Sequence, residues 1–276
     1  MRISTILIHV LAWAIASLWI IPFMGIFMAS IRPLSEILSG WWNFQNTNLT
    51  PENYINAWTN EQVPISRHMI NSLLIAVPST LIPIFTASIT AYCFARFSFP
   101  LKNMLFLTIV LLQTLPQQSV VIPLFIMLNQ MGLLNTFPSL VIVHTAFATP
   151  WTIFFFRNFF ATLPTEVEEQ ARVDGASDFK IYYKIVLPMS LPALSSVAAL
   201  QFVWVWNDFF FALILLSGAR ELQPITVAIS LLRGRYFVDW GLLTAASVLT
   251  MAIPLLLYAL LQKYLMRGIV VGAVKG

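Results

Sequence analysis

Amides, one carboxylate and indole rings stand at helical spacing inside two strongly apolar stretches of this chain. In one of them Gln201, Trp204, Asp208 and Phe211 recur at intervals of three and four residues, with Asn207 adjacent, so a continuous helix would carry them on one face. In the other, Gln113, Thr114, Gln117 and Gln118 surround Pro116, where a kink turns carbonyls and amides toward an internal path. Such groups recognise rather than react. Hydroxyls of a neutral polyhydroxylated solute hydrogen-bond to amides and a carboxylate, and the apolar face of a pyranose packs on an indole. An aspartate inside a membrane span costs about 2.5–3.5 kcal/mol on insertion scales, so Asp208 either faces a watery cavity or a partner, or pairs locally near the interface. The candidates for a solute path are therefore Gln113, Gln117, Gln118, Trp204, Asn207 and Asp208, with His144, Thr145 and Trp151 behind them. No cluster of Arg or Lys lies in these stretches to neutralise an anionic solute.

Catalytic patterns are absent from the sequence. It contains no GxxxxGK[ST] phosphate loop and no HExxH, and its three histidines, His9, His68 and His144, fall in separate segments. The single cysteine, Cys93, sits in an apolar span and offers neither a disulfide framework nor a thiolate cluster. No metal site and no bound cofactor is expected on this chain. The net charge of +4 comes without a basic patch interleaved with aromatics, so nucleic acid is not an expected partner.

The elements that must position these residues are membrane helices. Of 276 residues 59% are hydrophobic and 9% charged, and the mean hydropathy is +0.82, more apolar surface than a soluble fold can hide. Six spans of about twenty residues are predicted, at 6–30, 70–94, 104–128, 139–160, 191–216 and 241–262. Prolines inside them predict kinks, above all in the third, and are tolerable where neighbouring helices satisfy the freed carbonyls. With the N-terminus inside, the inner segments hold Arg2, Arg96, Lys102, Arg157, Arg172, Lys180, Lys184, Lys263, Arg267 and Lys275, against Arg32, Arg67, Arg220, Arg233 and Arg235 outside. That bias places both termini in the cytoplasm. No repeat or linker separates a soluble part, so one transmembrane domain over residues 1–276 is expected, with a polar loop at 161–190 and a tail at 263–276. Two outer segments, Arg32 to Arg67 and Ser217 to Trp240, carry enough aromatic and polar residues either to lie at the bilayer interface or to meet a partner.

The polar loop is patterned. Thr165 and Glu168 have the spacing of a capping box that opens a helix from about Glu166 to Val173. Asp174-Gly175 ends that helix, because glycine tolerates the left-handed conformation, and Ser177 with Asp178 opens a second through Tyr182 and Tyr183. Ala171, Gly175 and Ala176 leave little side chain at the turn, so another protein's surface can approach the backbone. Pro188 and Pro192 mark the start of the next span.

With Glu169, Ala171, Gly175, Ile185, Leu187 and Pro188 at matching positions, the loop resembles the EAA loop of membrane subunits in bacterial and archaeal ABC importers. Gln170 stands where that pattern has alanine. Further stretches extend the likeness over nearly the whole chain: Trp206-Asn207-Asp208-Phe209, Pro224-Ile225-Thr226-Val227, Asp239-Trp240-Gly241-Leu242 and the tail from Arg267 to Gly276. They resemble the smaller membrane subunit of carbohydrate-type importers, the class of the maltose and glycerol-3-phosphate systems.

The resemblance implies an all-α type I importer permease fold of six transmembrane helices with a cytoplasmic coupling helix, in a bacterial or archaeal inner membrane. It also implies that Glu168, Glu169, Ala171, Asp174, Gly175, Ala176 and Ser177 meet an ATPase, and that Gly272, Lys275 and Gly276 of the tail reach the ATPase interface. The implied partners are a homologous second permease, two ATPase subunits carrying the ATP and Mg, and an extracytoplasmic solute-binding protein that delivers a sugar or related solute. Two other readings of the residues stay open at this point: an ion-driven secondary transporter using Asp208, and a membrane scaffold that recruits an ATPase without transporting.

Overall fold

The computed structural model describes residues 3–44, 47–233 and 238–273, with side chains over 5–44, 47–233 and 238–263. Along the chain the helices are α1 (Ile3–Ser30), α2 (Leu34–Leu38), α3 (Glu52–Trp58), α4 (Ile65–Arg96), α5 (Lys102–Leu112), α6 (Val121–Gln130), α7 (Phe137–Phe160), α8 (Glu166–Val173), α9 (Asp178–Ile181), α10 (Leu187–Met189), α11 (Leu191–Trp206), α12 (Phe210–Leu215), α13 (Ile225–Leu231) and α14 (Trp240–Ala273). A 3-10 turn at Gln117–Val120 leads into α6, another lies at Arg220–Leu222, and a π-helical turn at Tyr182–Val186 joins α9 to α10. Among the described residues there is no strand.

Among the described residues four helices, within α1, α4, α7 and α14, are long and apolar enough to cross a membrane, and the number is six where each of two bent pairs counts as one span. The predicted third span is one of these pairs, Lys102–Leu112 and Gln117–Gln130, broken at 91°. Its cause is Pro116, which has no N–H to donate and drives the residue before it out of helical conformation; its own ψ of 120° is extended. The predicted fifth span, 191–216, is corrected. Its helix α11 stops at Trp206 with Asn207 as C-cap, and the short helix α12 follows the break; at its start α11 meets the Asp178–Met189 segment of the loop at a bend of 73°. Pro192 stands in the first turn of α11, as expected.

Two compact units divide the chain. The first takes residues 1–69 and 225–253. In it Arg32, only 1% exposed, closes the turn after α1: Nη1 donates to the carbonyls of Trp41 (3.3 Å) and Asn43 (2.8 Å), and the guanidinium lies over the Phe44 ring. Asn53 Nδ2 donates to the carbonyls of Ser30 and Arg32, and a Cβ on Gly241 would come within 2.7 Å of Asn53 Oδ1, so this approach needs glycine. Trp42 and Trp58 are exposed, as suits interfacial aromatics. The apolar residues of α1 from Ile6 to Met24 are also exposed all round, which is the surface of a helix covered by lipid or by another chain.

The second unit takes residues 70–224 and 254–276. Its main core joins Ala91 and Tyr92 of α4, Phe156 and Phe160 of α7, Ile181, Tyr182 and Val186 of the loop, and Ala193 and Val197 of α11. Proline again sets a polar detail. Pro83 inside α4 has no N–H for the Ser79 carbonyl one turn earlier, and Gln201 Nε2 from α11 donates to that carbonyl at 3.4 Å. Gln201 Oε1 in turn accepts from Trp151 Nε1 at 3.3 Å. Gln201→Leu removes both partners inside the bundle and is expected to destabilise the unit by about 1–3 kcal/mol, read as a lowered unfolding midpoint of the purified protein in detergent.

Candidate functional site

The loop at 161–190 is helix α8, a turn, and the α9 to α10 segment. α8 spans the predicted residues, Glu166 to Val173, and Gly175 ends it with φ of +80°, the left-handed conformation that favours glycine. Ser177 caps α9 by accepting from the Lys180 amide at 3.4 Å. The capping box at the start of α8 does not form. Thr165 makes no side-chain cap hydrogen bond, and Glu168 turns inward, 2% exposed. Arg96 at the end of α4 holds it through a two-nitrogen fork, with Nε at 2.8 and 3.0 Å from the carboxylate oxygens and Nη2 at 2.7 Å. Tyr92 OH donates to the same carboxylate at 3.4 Å. A forked, charge-assisted pair with buried partners outweighs a single helix-cap bond.

A second tie holds the other half of the loop. Tyr182, in the π-helical turn, places its hydroxyl 2.7 Å from Ser88 Oγ and tilts its ring against Tyr92 at 5.3 Å between centroids. Ser88, Tyr92 and Arg96 follow one another at four-residue intervals, so one stripe of α4 grips both halves of the loop. Ala171 and Ala176 pack on the same core. Both are half-buried, with one side on their own chain and the other open.

What faces outward is the rest of the loop. Glu166, Glu169, Gln170, Val173 and Asp174 line a shallow open depression. Val173 is 88% and Phe179 70% exposed, and a Cβ on Gly175 would meet nothing within 4 Å. Arg172 pairs with Asp178 at 2.9 Å, a hydrogen bond that pushes the Arg172 guanidinium up from its ordinary value. Of the seven predicted loop residues, Glu169, Asp174, Gly175 and Ser177 are thus exposed, Ala171 and Ala176 are half-buried, and Glu168 is turned inward.

The polar residues of the spans converge in part. A cavity of about 340 Å³ is lined by Leu112, Gln113, Leu115 and Gln117 at the break in the third span, by Ala146, Phe147, Pro150 and Trp151 of α7, and by Trp204 of α11. Pro150 cannot donate to the Ala146 carbonyl one turn earlier, so the lining contains a potential acceptor beside its two amides and two indoles. Gln118, Asn207 and Asp208 do not line it.

Asp208 does not share a helical face with Gln201 and Trp204. It lies in the break after α11 and caps α12, its Oδ1 and Oδ2 accepting from the amides of Phe211 (3.3 Å) and Ala212 (3.0 Å). Its Oδ2 is also 3.4 Å from His144 Nε2, and the His144 ring meets Trp204 and Phe211 edge-on. The local pairing that the sequence left open is the arrangement found. A carboxylate two residues past the end of one helix and three before the amide it caps is a better N-cap than a stripe member.

In the tail, α14 runs through Gly272 to Ala273; Lys275 and Gly276 lie outside the described residues, as do Gly234, Arg235 and Tyr236 of the last outer segment. Sequence reasoning missed Ser88, Tyr92, Arg96 and Tyr182. The available signal was the four-residue spacing of three polar groups at the end of an otherwise apolar span.

A helical bundle with broken spans and a clamped polar loop defines a membrane transport subunit. Residues 79–271 match the family of binding-protein-dependent transport system inner membrane components, and the chain belongs to that family. A probable ABC transporter permease protein of Pyrococcus horikoshii is 54% identical over 262 residues, covering 95% of each chain. An osmoprotective compounds uptake permease protein of Synechocystis is 40% identical, covering 97% of this chain and 91% of the relative. Among solved structures, a chain of a bacterial ABC transporter involved in the import of the acidic polysaccharide alginate superposes with a TM-score of 0.80 at 23% identity, covering 96% and 97% of the two chains. The protein is a permease subunit of an ABC importer.

Proposed function

We propose that this chain forms half of the translocation path for a neutral sugar or related polyhydroxylated solute, and that separate ATPase subunits drive it through the loop at 161–190. The observation that carries the coupling role is the division of that loop: an inner face clamped by Arg96 and Glu168, and an outer face on which Glu169, Val173, Asp174, Gly175 and Phe179 are exposed. ATP and Mg belong to the partner subunits in this reading. The loop and both termini lie in the cytoplasm, as the Lys and Arg bias argues, and Gly272, Lys275 and Gly276 extend toward the ATPase interface. A homologous second permease completes the path, and a soluble binding protein delivers the solute from outside. Its tighter binding to one state of the complex biases the conformational equilibrium.

Two amides and two indoles around a cavity large enough for a sugar ring support the solute class. The names of relatives support a sugar: a trehalose/maltose transport system permease protein of Thermococcus litoralis is 34% identical, covering 82% of each chain. The test is to purify the complex through this chain, identify the proteins that accompany it, and measure ATPase activity with a panel of sugars and polyols. ATPase subunits that fail to accompany it overturn the reading. Trp204→Ala removes one indole from the cavity; since aromatic packing contributes about 0.5–1.5 kcal/mol, the solute concentration for half-maximal uptake is expected to rise up to about tenfold, with ATP affinity unchanged.

A further inference from the structure

α4 is tied at both of its ends to segments far away in sequence, and both ties are buried hydrogen bonds of side chains on this one helix. At one end Arg96 and Tyr92 hold Glu168 of α8, and Ser88 holds Tyr182 of the π-helical turn. At the other end Asn71, 5% exposed, donates from Nδ2 to the carbonyls of Glu221 (2.8 Å) and Gln223 (3.1 Å). The segment it holds is itself knotted: Gln223 Nε2 donates to the Leu216 carbonyl, the Gly218 amide donates to Asn135 Oδ1, and a Cβ on Gly218 would press within 2.8 Å of the Asn135 side chain. From Asn71 to Arg96 is 25 helical steps, about 37 Å at 1.5 Å per residue, the thickness of the hydrocarbon core and part of the interface. About a third of the way from Asn71, Gln201 grips the Ser79 carbonyl and is bonded to Trp151, a residue of the cavity lining.

We infer that α4 is the element through which the loop at 161–190 and the segment at 217–223 move together, with Arg96 and Asn71 as the positioning residues at its two ends. A continuous helix with polar ties near both ends passes a shift at one on to the other, and the tie to Gln201 between them brings the cavity wall into the same motion. Neither residue touches solute or nucleotide; each acts by holding a segment that does the touching. The assignment rests on the transport reading above, in which ATPase closure moves the loop and the binding protein meets the opposite side.

A double-mutant cycle in the reconstituted complex tests it. Asn71→Ala and Arg96→Lys are made singly and together, and solute-stimulated and basal ATPase are measured with the binding protein present and absent. Each single variant is expected to lower stimulation on the order of fivefold, with Asn71→Ala leaving basal ATPase unchanged. Sites so far apart normally add, so independent effects would multiply to about 25-fold. One shared element predicts that the double variant falls only about as far as either single. Multiplying effects, or a single variant that couples like the parent, overturn the assignment of α4 while leaving the transport reading standing. A parent complex with no solute-stimulated ATPase overturns the transport reading itself. Where Asn71→Ala does not assemble, Asn71→Ser, which keeps a donor too short to reach both carbonyls, replaces it in the cycle with the same expectation.

Discussion

Gly175→Val is expected to abolish solute-stimulated ATPase while the chain still inserts in the membrane and still folds its transmembrane core. Gly175 holds φ of +80°, where a β-branched residue is strained by about 1–2 kcal/mol or more. That strain falls on a turn which hands α8 over to α9 through two backbone bonds, Gly175 N to the Arg172 carbonyl at 3.1 Å and Ala176 N to the Ala171 carbonyl at 2.9 Å. The rest of the unit is indifferent, since a Cβ at this position touches nothing of its own chain. Two causes of failure are separable. Asparagine tolerates the left-handed region, so Gly175→Asn keeps the turn but adds bulk to the exposed surface. If Gly175→Asn couples normally and Gly175→Val does not, the turn's shape is what the partner needs. If both fail, close approach to the backbone is what it needs. Undiminished coupling in both variants would remove Gly175 from the docking surface.

Much of this loop is legible without coordinates, because its signals are local. Gly175 after Asp174, and Ser177 before Asp178, act within one turn of helix, and the boundaries of α8 follow from them. Glu168 is misread for the converse reason. Its spacing from Thr165 satisfies a cap pattern, but its partner is 72 residues away in sequence, and a forked pair with arginine in a buried setting is the stronger bond. The same competition decides Asp208. Three- and four-residue spacing suggests a stripe, yet a carboxylate followed by a run of free amides ends one helix and begins another, as the bonds to Phe211 and Ala212 record. The sharp break in the third span is visible in advance from Pro116, while the use of Gln201 to satisfy the Ser79 carbonyl is not, since nothing local to either residue names the other.

Glu168→Ala is expected to have the larger structural effect of any change in the loop, and the reason lies in the contrast between its two ion pairs. Arg96 and Glu168 have side chains 10% and 3% exposed, against 47% for both Arg172 and Asp178. Removing one member of a buried pair leaves the other charged and unpaired, which costs about 3–5 kcal/mol; an exposed pair, screened and mobile, contributes little. Arg96 would retain only the Leu163 carbonyl, at 3.4 Å. α8 then loses its tie to α4, with the Tyr182 to Ser88 bond left to hold the loop from its far side. The expected result is a chain that inserts and keeps its spans but exposes 161–190 to limited proteolysis, and that no longer retains ATPase subunits through purification. Asp178→Ala is the control and should leave both readouts near those of the parent. Equal protease resistance in Glu168→Ala and Asp178→Ala would mean that the core packing of Ile181, Tyr182 and Val186 holds the loop without the clamp.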